Sequence, residues 1–332
     1  MAEPRFLVTY PIPEPGMGSL RAAGLVHVPA AQPTPDELRD ACASGDFDVV
    51  VAQLSDRFDA GLLAEAKLAG ISNFAVGYDN VDVPSATENG IVVGNTPGVL
   101  TDATADVAML LVLATARRAI EADRFTRAGN FTGWKPELLL GHDVSGATLG
   151  LAGFGRIARA TAKRAAAFGM EIMFCSHPPD GRTIDDAEVA ELPYPARQVG
   201  WRELVECSDF LSVHVPLAPS TRHLIDADTM AAMKPTAILV NTARGPIVDE
   251  RALVSTLGSG HLAGAGLDVY EDEPRLAPGL ADLPNVVLLP HLGSATTKVR
   301  ARMAELCADN AVAIARGHIP PHCVNPDAVE RR

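Results

Sequence analysis

Arg244, Glu273 and His291 each stand just beyond an apolar, strand-like run, at 237–241, 264–268 and 286–289 respectively. Ligands of open parallel sheets bind outside the carboxyl ends of the strands, so the three side chains are predicted to converge on one crevice. A histidine titrates near neutrality and can deliver or take up a proton. A carboxylate beside it favours the imidazolium. An arginine holds a carboxylate in its planar fork and polarises a neighbouring carbonyl. Next to a hydride carrier, this set has the chemistry to reduce a 2-keto acid, with hydride going to C2 and a proton to the carbonyl oxygen. Singly, each residue has a plainer reading: a structural histidine, a solvated turn glutamate before Pro274, a loop cation before Gly245. Coincidence accounts poorly for all three together.

A hydride carrier has its own signature upstream. The apolar run 148–152 breaks at Gly153-Phe154-Gly155-Arg156-Ile157-Ala158 and passes into a helix-like stretch ending near Gly169, after which a second apolar run occupies 171–175. In a strand–turn–helix unit Gly153 permits the tight turn, Gly155 lets a pyrophosphate approach the backbone, and Ala158 lets helix and strand pack closely. The helix N-terminus then offers N–H groups and a positive dipole end to the phosphates. Glycine-rich turns without ligands are commoner, and it is the strand on each side that makes this one a dinucleotide site.

The elements that must position these residues repeat along the whole chain. Strand-like runs fall at 6–9, 48–52, 71–76 and 91–94, then at 148–152, 171–175, 210–215, 237–241, 264–268 and 286–289. They are short and rich in Val, Ile and Leu without alternation, as strands buried on both faces should be. The pattern predicts an α/β protein of two doubly wound parallel-sheet domains. Other polar residues at strand ends are His214 and Pro216 after the 210–215 run, Thr242 and Ala243 after the next, and Asp268.

Between the two sets lies the longest apolar stretch, 107–114, flanked by Asp106 and Arg117-Arg118. It is too short for a bilayer. A helix is predicted from an N-cap at Thr101 and past Ala119, apolar on nearly every side and so covered on nearly every side. A homodimer interface is the preferred explanation, with simple core burial as the alternative.

Composition sets outer limits. The chain has 332 residues, 47% of them hydrophobic, enough for two domains with substantial cores. Its 28 Lys and Arg against 41 Asp and Glu leave a formal charge of −13, which argues against nucleic acid or an anionic membrane as the main partner. The five cysteines are scattered without a C-x-x-C pair, as expected of reduced thiols and a cytoplasmic protein. Met1-Ala-Glu-Pro-Arg5 lacks the basic and apolar regions of a signal peptide, and no metal-type cluster is visible.

In five segments the chain resembles the D-isomer-specific 2-hydroxyacid dehydrogenase family, nearest its glyoxylate and hydroxypyruvate reductase branch. These are Asn73-Phe-Ala-Val-Gly77-Tyr-Asp-Asn-Val-Asp82, Gly153-Phe-Gly155-Arg-Ile157, the run from Met233 through Arg244 to Glu250, Gly266-Leu-Asp268-Val-Tyr-Glu-Asp-Glu273-Pro274, and Leu289-Pro-His291-Leu-Gly-Ser-Ala295. The resemblance covers nearly the whole length in family order, and its last three segments together are highly specific. It implies that Arg244 binds the substrate carboxylate and carbonyl, that His291 is the acid/base and that Glu273 pairs with it. Val76 and Gly77 would offer backbone N–H groups to that carboxylate, and Asp268 would hold the nicotinamide amide. Thr104, the turn of Gly153, Phe154, Gly155, Arg156 and Ile157, then Ser176, His177, His214, Pro216, Thr242, Ala243 and Gly293 would line the cofactor cleft. The implied fold is a Rossmann-type cofactor domain, 99–290, with the dimerisation helix, inserted in a flavodoxin-like substrate domain made of 1–98 plus 291–332. Trp134 would lie in an arm that reaches the partner subunit, an ordinary buried tryptophan being the alternative.

Two departures from the family pattern matter. The third motif glycine is Ala158, a tolerated exchange. Ser176 stands where NAD-specific members place an aspartate for the ribose 2′-hydroxyl. Without that carboxylate a 2′-phosphate is not repelled, and Ser176 with His177 could donate hydrogen bonds to it, so NADP(H) is preferred over NAD(H). Arg182 is a further candidate cation, blunted by Asp180. Among relatives on the same scaffold, formate dehydrogenases carry glutamine where Glu273 stands. A phosphoglycerate dehydrogenase-type enzyme shares the trio but often has an added regulatory domain. An NAD(H)-sensing, corepressor-like binding protein is the non-enzymatic alternative.

Overall fold

The computed structural model describes residues 3–331, which form two compact units, one of residues up to 100 together with those from 295, the other of 101–294. The second boundary falls after Ser294 rather than at the 290/291 junction read from the sequence, which keeps His291 and Gly293 in the unit of Arg244 and Glu273.

The first unit carries strands β1 (Arg5–Val8), β2 (Leu25–His27), β3 (Val49–Ala52), β4 (Gly70–Asn73) and β5 (Val92–Gly94). All are parallel, in the order β2-β1-β3-β4-β5, which is flavodoxin-like. The other unit carries β6 (Thr148–Ala152), β7 (Glu171–Cys175), β8 (Arg197–Gln198), β9 (Phe210–Val213), β10 (Ile238–Asn241), β11 (Gly264–Leu267) and β12 (Val286–Leu288), again parallel throughout. Their order, β12-β11-β10-β9-β6-β7-β8, is the Rossmann order with one strand added. The chain therefore adopts the expected α/β fold of two doubly wound parallel sheets. The strand order reverses between β6 and β9, the switch point where such sheets open a crevice.

The central strands read as apolar runs because both faces are covered: β3, β4, β9, β10 and β11 are buried at every position. The two strands missed in the sequence, β2 and β8, are edges. β2 exposes Leu25 and His27, and β8 is two residues long, so neither has an apolar run to announce it.

The helix predicted past Ala119 stops earlier. It spans Thr101–Ala116, and a separate helix occupies Ala119–Arg127. The break has a local cause. His142 donates its backbone N–H to the Ala116 carbonyl at 2.8 Å, removing the acceptor that the next turn needs, and Arg118 turns left-handed at φ 50°. Burial is also incomplete: Leu110 is 50% exposed on the stripe that includes Asp102 and Asp106. Trp134 is 82% exposed, which overturns the buried-tryptophan alternative. No helix among the described residues is long and apolar enough to cross a membrane.

Candidate active site

The site is built on the carboxyl ends of β6, β9, β10, β11 and β12. At the end of β6 the chain turns through Gly153 at φ 96°, where a Cβ would come within 2.9 Å of the His214 backbone. Gly153 is thus required by conformation and packing alike. Gly155 is different. Its φ of −79° suits any residue, and a Cβ there would meet nothing within 4 Å. Neither backbone nor packing calls for glycine, but an approaching phosphate would. The following helix, Arg156–Ala167, has no side-chain cap and no acidic residue in its first turn, so its N-terminal N–H groups have no competing anion. It seats on the sheet through small buried residues, Ala158, Thr161, Ala162 and Ala165. Phe154 stacks on Phe174 with centroids 3.7 Å apart, fixing the turn from beneath, while Arg156 is exposed and Ile157 half-buried.

Past β10, Asn241 shapes the arginine turn with its own side chain. Its Oδ1 accepts from the Ala243 N–H at 3.0 Å and its Nδ2 donates to the Arg244 carbonyl at 2.9 Å. The Arg244 guanidinium donates to the Ala243 carbonyl at 2.9 Å. A Cβ on Gly245 would overlap the Tyr270 and Glu271 backbone, so only glycine lets the arginine turn lie against the loop that carries Glu273. The Thr242 hydroxyl is buried with no hydrogen-bond partner among the described residues, a polar atom that a bound ligand would satisfy.

His291 follows β12 at φ 56°, a left-handed conformation that costs a non-glycine residue about 1–2 kcal/mol. Asp268 holds it there. The Asp268 carbonyl accepts from the His291 N–H at 2.9 Å, and its carboxylate, 1% exposed, accepts from Leu292 N at 2.6 Å and Gly293 N at 2.8 Å. Burial pushes the Asp268 carboxyl up, and those amides and the nearby His291 oppose the rise. The Thr104 hydroxyl donates to the Gly293 carbonyl at 2.9 Å, which pins the far side of the same turn. So oriented, His291 Nδ1 lies 3.0 Å from Glu273 Oε2. The other Glu273 oxygen accepts from Tyr270 N at 3.0 Å. Burial would raise the Glu273 carboxyl, but the His291 contact, the Tyr270 amide and the Arg244 charge together bring it below its usual value. The arrangement is an ionised carboxylate against one imidazole nitrogen, with a guanidinium close enough to be felt.

The remaining sequence candidates divide. His214 sits half-buried with Nε2 2.9 Å from the Ser212 hydroxyl, and burial pushes its pKa down to about 4, so near neutrality it is uncharged and no rival acid. Pro216 is exposed nearby. Ser176 is buried and donates its hydroxyl to the Arg182 carbonyl, which His177 Nδ1 also faces at 3.4 Å. Ser176 is thus committed within its own turn instead of offering its proton to a 2′-phosphate. Val76 and Gly77 belong to the other unit, on the loop after β4. Two residues of the family-like segments for which the sequence suggests no role also shape the site. Tyr270 donates its hydroxyl to the Leu289 carbonyl at 2.8 Å, and buried Glu250 accepts from the Glu271 and Ala277 amides at 2.7 and 3.3 Å, bracing the loop that presents Glu273.

Comparison with known proteins shows the family. Residues 109–293, more than half of the chain, match the model of the D-isomer specific 2-hydroxyacid dehydrogenase NAD binding domain. The chain belongs to the D-isomer-specific 2-hydroxyacid dehydrogenase family. It is 46% identical to the glyoxylate reductase of Thermococcus litoralis over 98% of both chains. Among solved structures it resembles a protein of Thermus thermophilus (TM-score 0.85, 44% identity, 96% of this chain and 99% of that one). It also resembles the NADPH-dependent glyoxylate/hydroxypyruvate reductase of Sinorhizobium meliloti in complex with NADP and malonate (TM-score 0.83, 34% identity, 98% of each). As a family member it is an NAD(P)-dependent oxidoreductase acting on CH–OH donors. The open side of Gly155 and the unpartnered Thr242 hydroxyl fit that coenzyme.

If Gly155 is kept open for a phosphate, Gly155→Val should leave Tm within about 2 °C of wild type while raising the coenzyme Kd on the order of tenfold or more. Calorimetry with fluorescence titration checks both, and an unchanged Kd would remove the ligand argument for this turn.

Proposed function

We propose that this dehydrogenase reduces a small 2-keto acid of the glyoxylate or hydroxypyruvate type to the D-2-hydroxy acid, with NADPH preferred to NADH. The observation that carries the reading is the 3.0 Å contact of His291 with Glu273, a carboxylate that also feels the Arg244 charge. The bound coenzyme supplies the hydride that adds to C2. Arg244 holds the substrate carboxylate and polarises the keto oxygen. With Nδ1 turned to Glu273, His291 presents Nε2 to that oxygen and delivers the proton that completes the hydroxyl. Glu273 orients the ring through Nδ1 before the transfer, and the neutral imidazole left behind stays hydrogen-bonded to it until solvent returns a proton to Nε2.

The other assignments follow the same reading. Val76 and Gly77 contribute main-chain N–H groups to the substrate carboxylate. Asp268, besides anchoring the histidine turn, faces the nicotinamide amide, and Thr104 stands on the nicotinamide side. The turn 153–157 takes the pyrophosphate, and His214, Pro216, Thr242, Ala243 and Gly293 line the cleft. Residues 101–294 serve as the coenzyme domain and the remainder as the substrate domain. The exposed Leu110 stripe and the exposed Ile120, Phe131, Trp134 and Leu140 support a homodimer that covers them. For NADPH, the support is the missing carboxylate at Ser176, the exposed His177 and Arg182, and the NADPH-dependent Sinorhizobium relative.

His291→Ala should lower kcat on the order of 10²–10⁴ with coenzyme affinity kept; loss of both together would make the histidine structural. Glu273→Gln removes the ionised carboxylate that His291 contacts, so the pH profile of keto-acid reduction should be displaced. A superimposable profile would take Glu273 out of the proton chemistry. The ratio of kcat/KM for NADPH to that for NADH should exceed one, and a tenfold preference for NADH would reverse the coenzyme assignment.

A further inference from the structure

In the loop after β4 three successive peptide carbonyls are each captured by a donor. The Ala75 carbonyl accepts from Thr96 N at 2.8 Å. The Val76 carbonyl accepts from Asn95 Nδ2 at 2.7 Å, and the Gly77 carbonyl from Asn73 Nδ2 at 2.9 Å. A trans peptide points its N–H opposite to its C=O. The N–H groups of Val76, Gly77 and Tyr78 are therefore turned away from those three donors, and none of the three has an acceptor among the described residues. Successive main-chain N–H groups left open in a turn make a concavity for an anion.

Of the two residues that do this, Asn73 has its carboxamide held and Asn95 its backbone. Asn73 is fully buried and exchanges hydrogen bonds with Asn80 at 3.1 and 3.2 Å. Asn80 in turn donates to the Gln53 and Asp56 carbonyls at 3.2 and 3.0 Å, tying the loop after β3 to the loop after β4. Asn95 has its own carbonyl held by Asn310 Nδ2 at 2.8 Å, from the long helix Thr297–Ala315. Asn73 is buried and Asn95 half-buried, and each spends a side-chain amide donor on a carbonyl of this one loop.

We propose that Asn95 and Asn73 are positioning residues that aim the N–H groups of Val76, Gly77 and Tyr78 at the substrate's carboxylate, so that they set the KM for keto acids without touching substrate. The inference rests on the keto-acid reading of the preceding section. Asn95→Asp is the isosteric test, since it places an acceptor against the Val76 carbonyl and releases that peptide plane.

With the full-length protein, KM for glyoxylate and Ki for oxamate, a carboxylate analogue of 2-keto acids, should rise together on the order of tenfold. The fall in kcat should be smaller, with coenzyme Kd unmoved, and Asn95→Ser, which restores a short donor, should recover part of the loss. KM and Ki within about twofold of wild type, or a coenzyme Kd that moves as far as Ki, would overturn the proposal. Should Asn95→Asp not fold, 15N-glycine-labelled wild type serves instead: the Gly77 amide signal must shift on adding oxamate, and a stationary signal overturns it equally. Wild type inert toward every small 2-keto acid would sink the functional reading and this inference with it, whereas active wild type with an unaffected Asn95→Asp sinks the inference alone.

Discussion

Beneath the end of β11 the carboxylate of Asp268 is sealed from solvent and commits both oxygens to the amides of Leu292 and Gly293, while its carbonyl takes the amide of His291. An anion in that position is costly unless hydrogen-bonded, and those amides offset the cost by belonging to the loop the site must hold. The same bonds let His291 keep a left-handed backbone that an unanchored residue would leave. The conformation turns the imidazole back toward Glu273. The Thr104 hydroxyl on the Gly293 carbonyl and the Glu273 contact at Nδ1 complete the hold on the ring.

The partner loop is constrained from three further directions. Tyr270 ties it to β12 through Leu289, Glu250 clasps the amides of Glu271 and Ala277, and Gly245 lets the arginine turn press against the Tyr270 backbone. Three strand ends are thereby locked into one rigid constellation, which is what proton delivery to a fixed atom demands. The electrostatics agree with the packing. Glu273 stays ionised because its polar contacts outweigh burial, whereas His214 is held uncharged by burial alone. The surroundings thus favour a charged Glu273 carboxylate and a neutral His214 imidazole.

Much of this was legible in the sequence because parallel strands buried on both faces must be continuous apolar runs, and residues just past them must face the crevice. That logic brought Arg244, Glu273, His291 and the 153–157 turn together without coordinates. It failed where the cause is tertiary. Edge strands β2 and β8 have no buried faces to betray them. The end of the helix Thr101–Ala116 depends on a carbonyl captured by distant His142. Ser176, read as a phosphate donor, gives its proton to Arg182 six residues away. Glu250 and Tyr270 lie within family-like segments, but their bracing roles exist only once three strand ends have met.

The account turns on whether the imidazole, its carboxylate partner and the guanidinium surround one reacting carbon. A crystal structure of the ternary complex with oxidised coenzyme and oxamate tests this most directly. The account predicts His291 Nε2 within about 3 Å of the inhibitor's C2 oxygen, Nδ1 still on Glu273, and Arg244 paired with the oxamate carboxylate. Oxamate seated away from these side chains, or an imidazole swung off Glu273 in the complex, would contradict it.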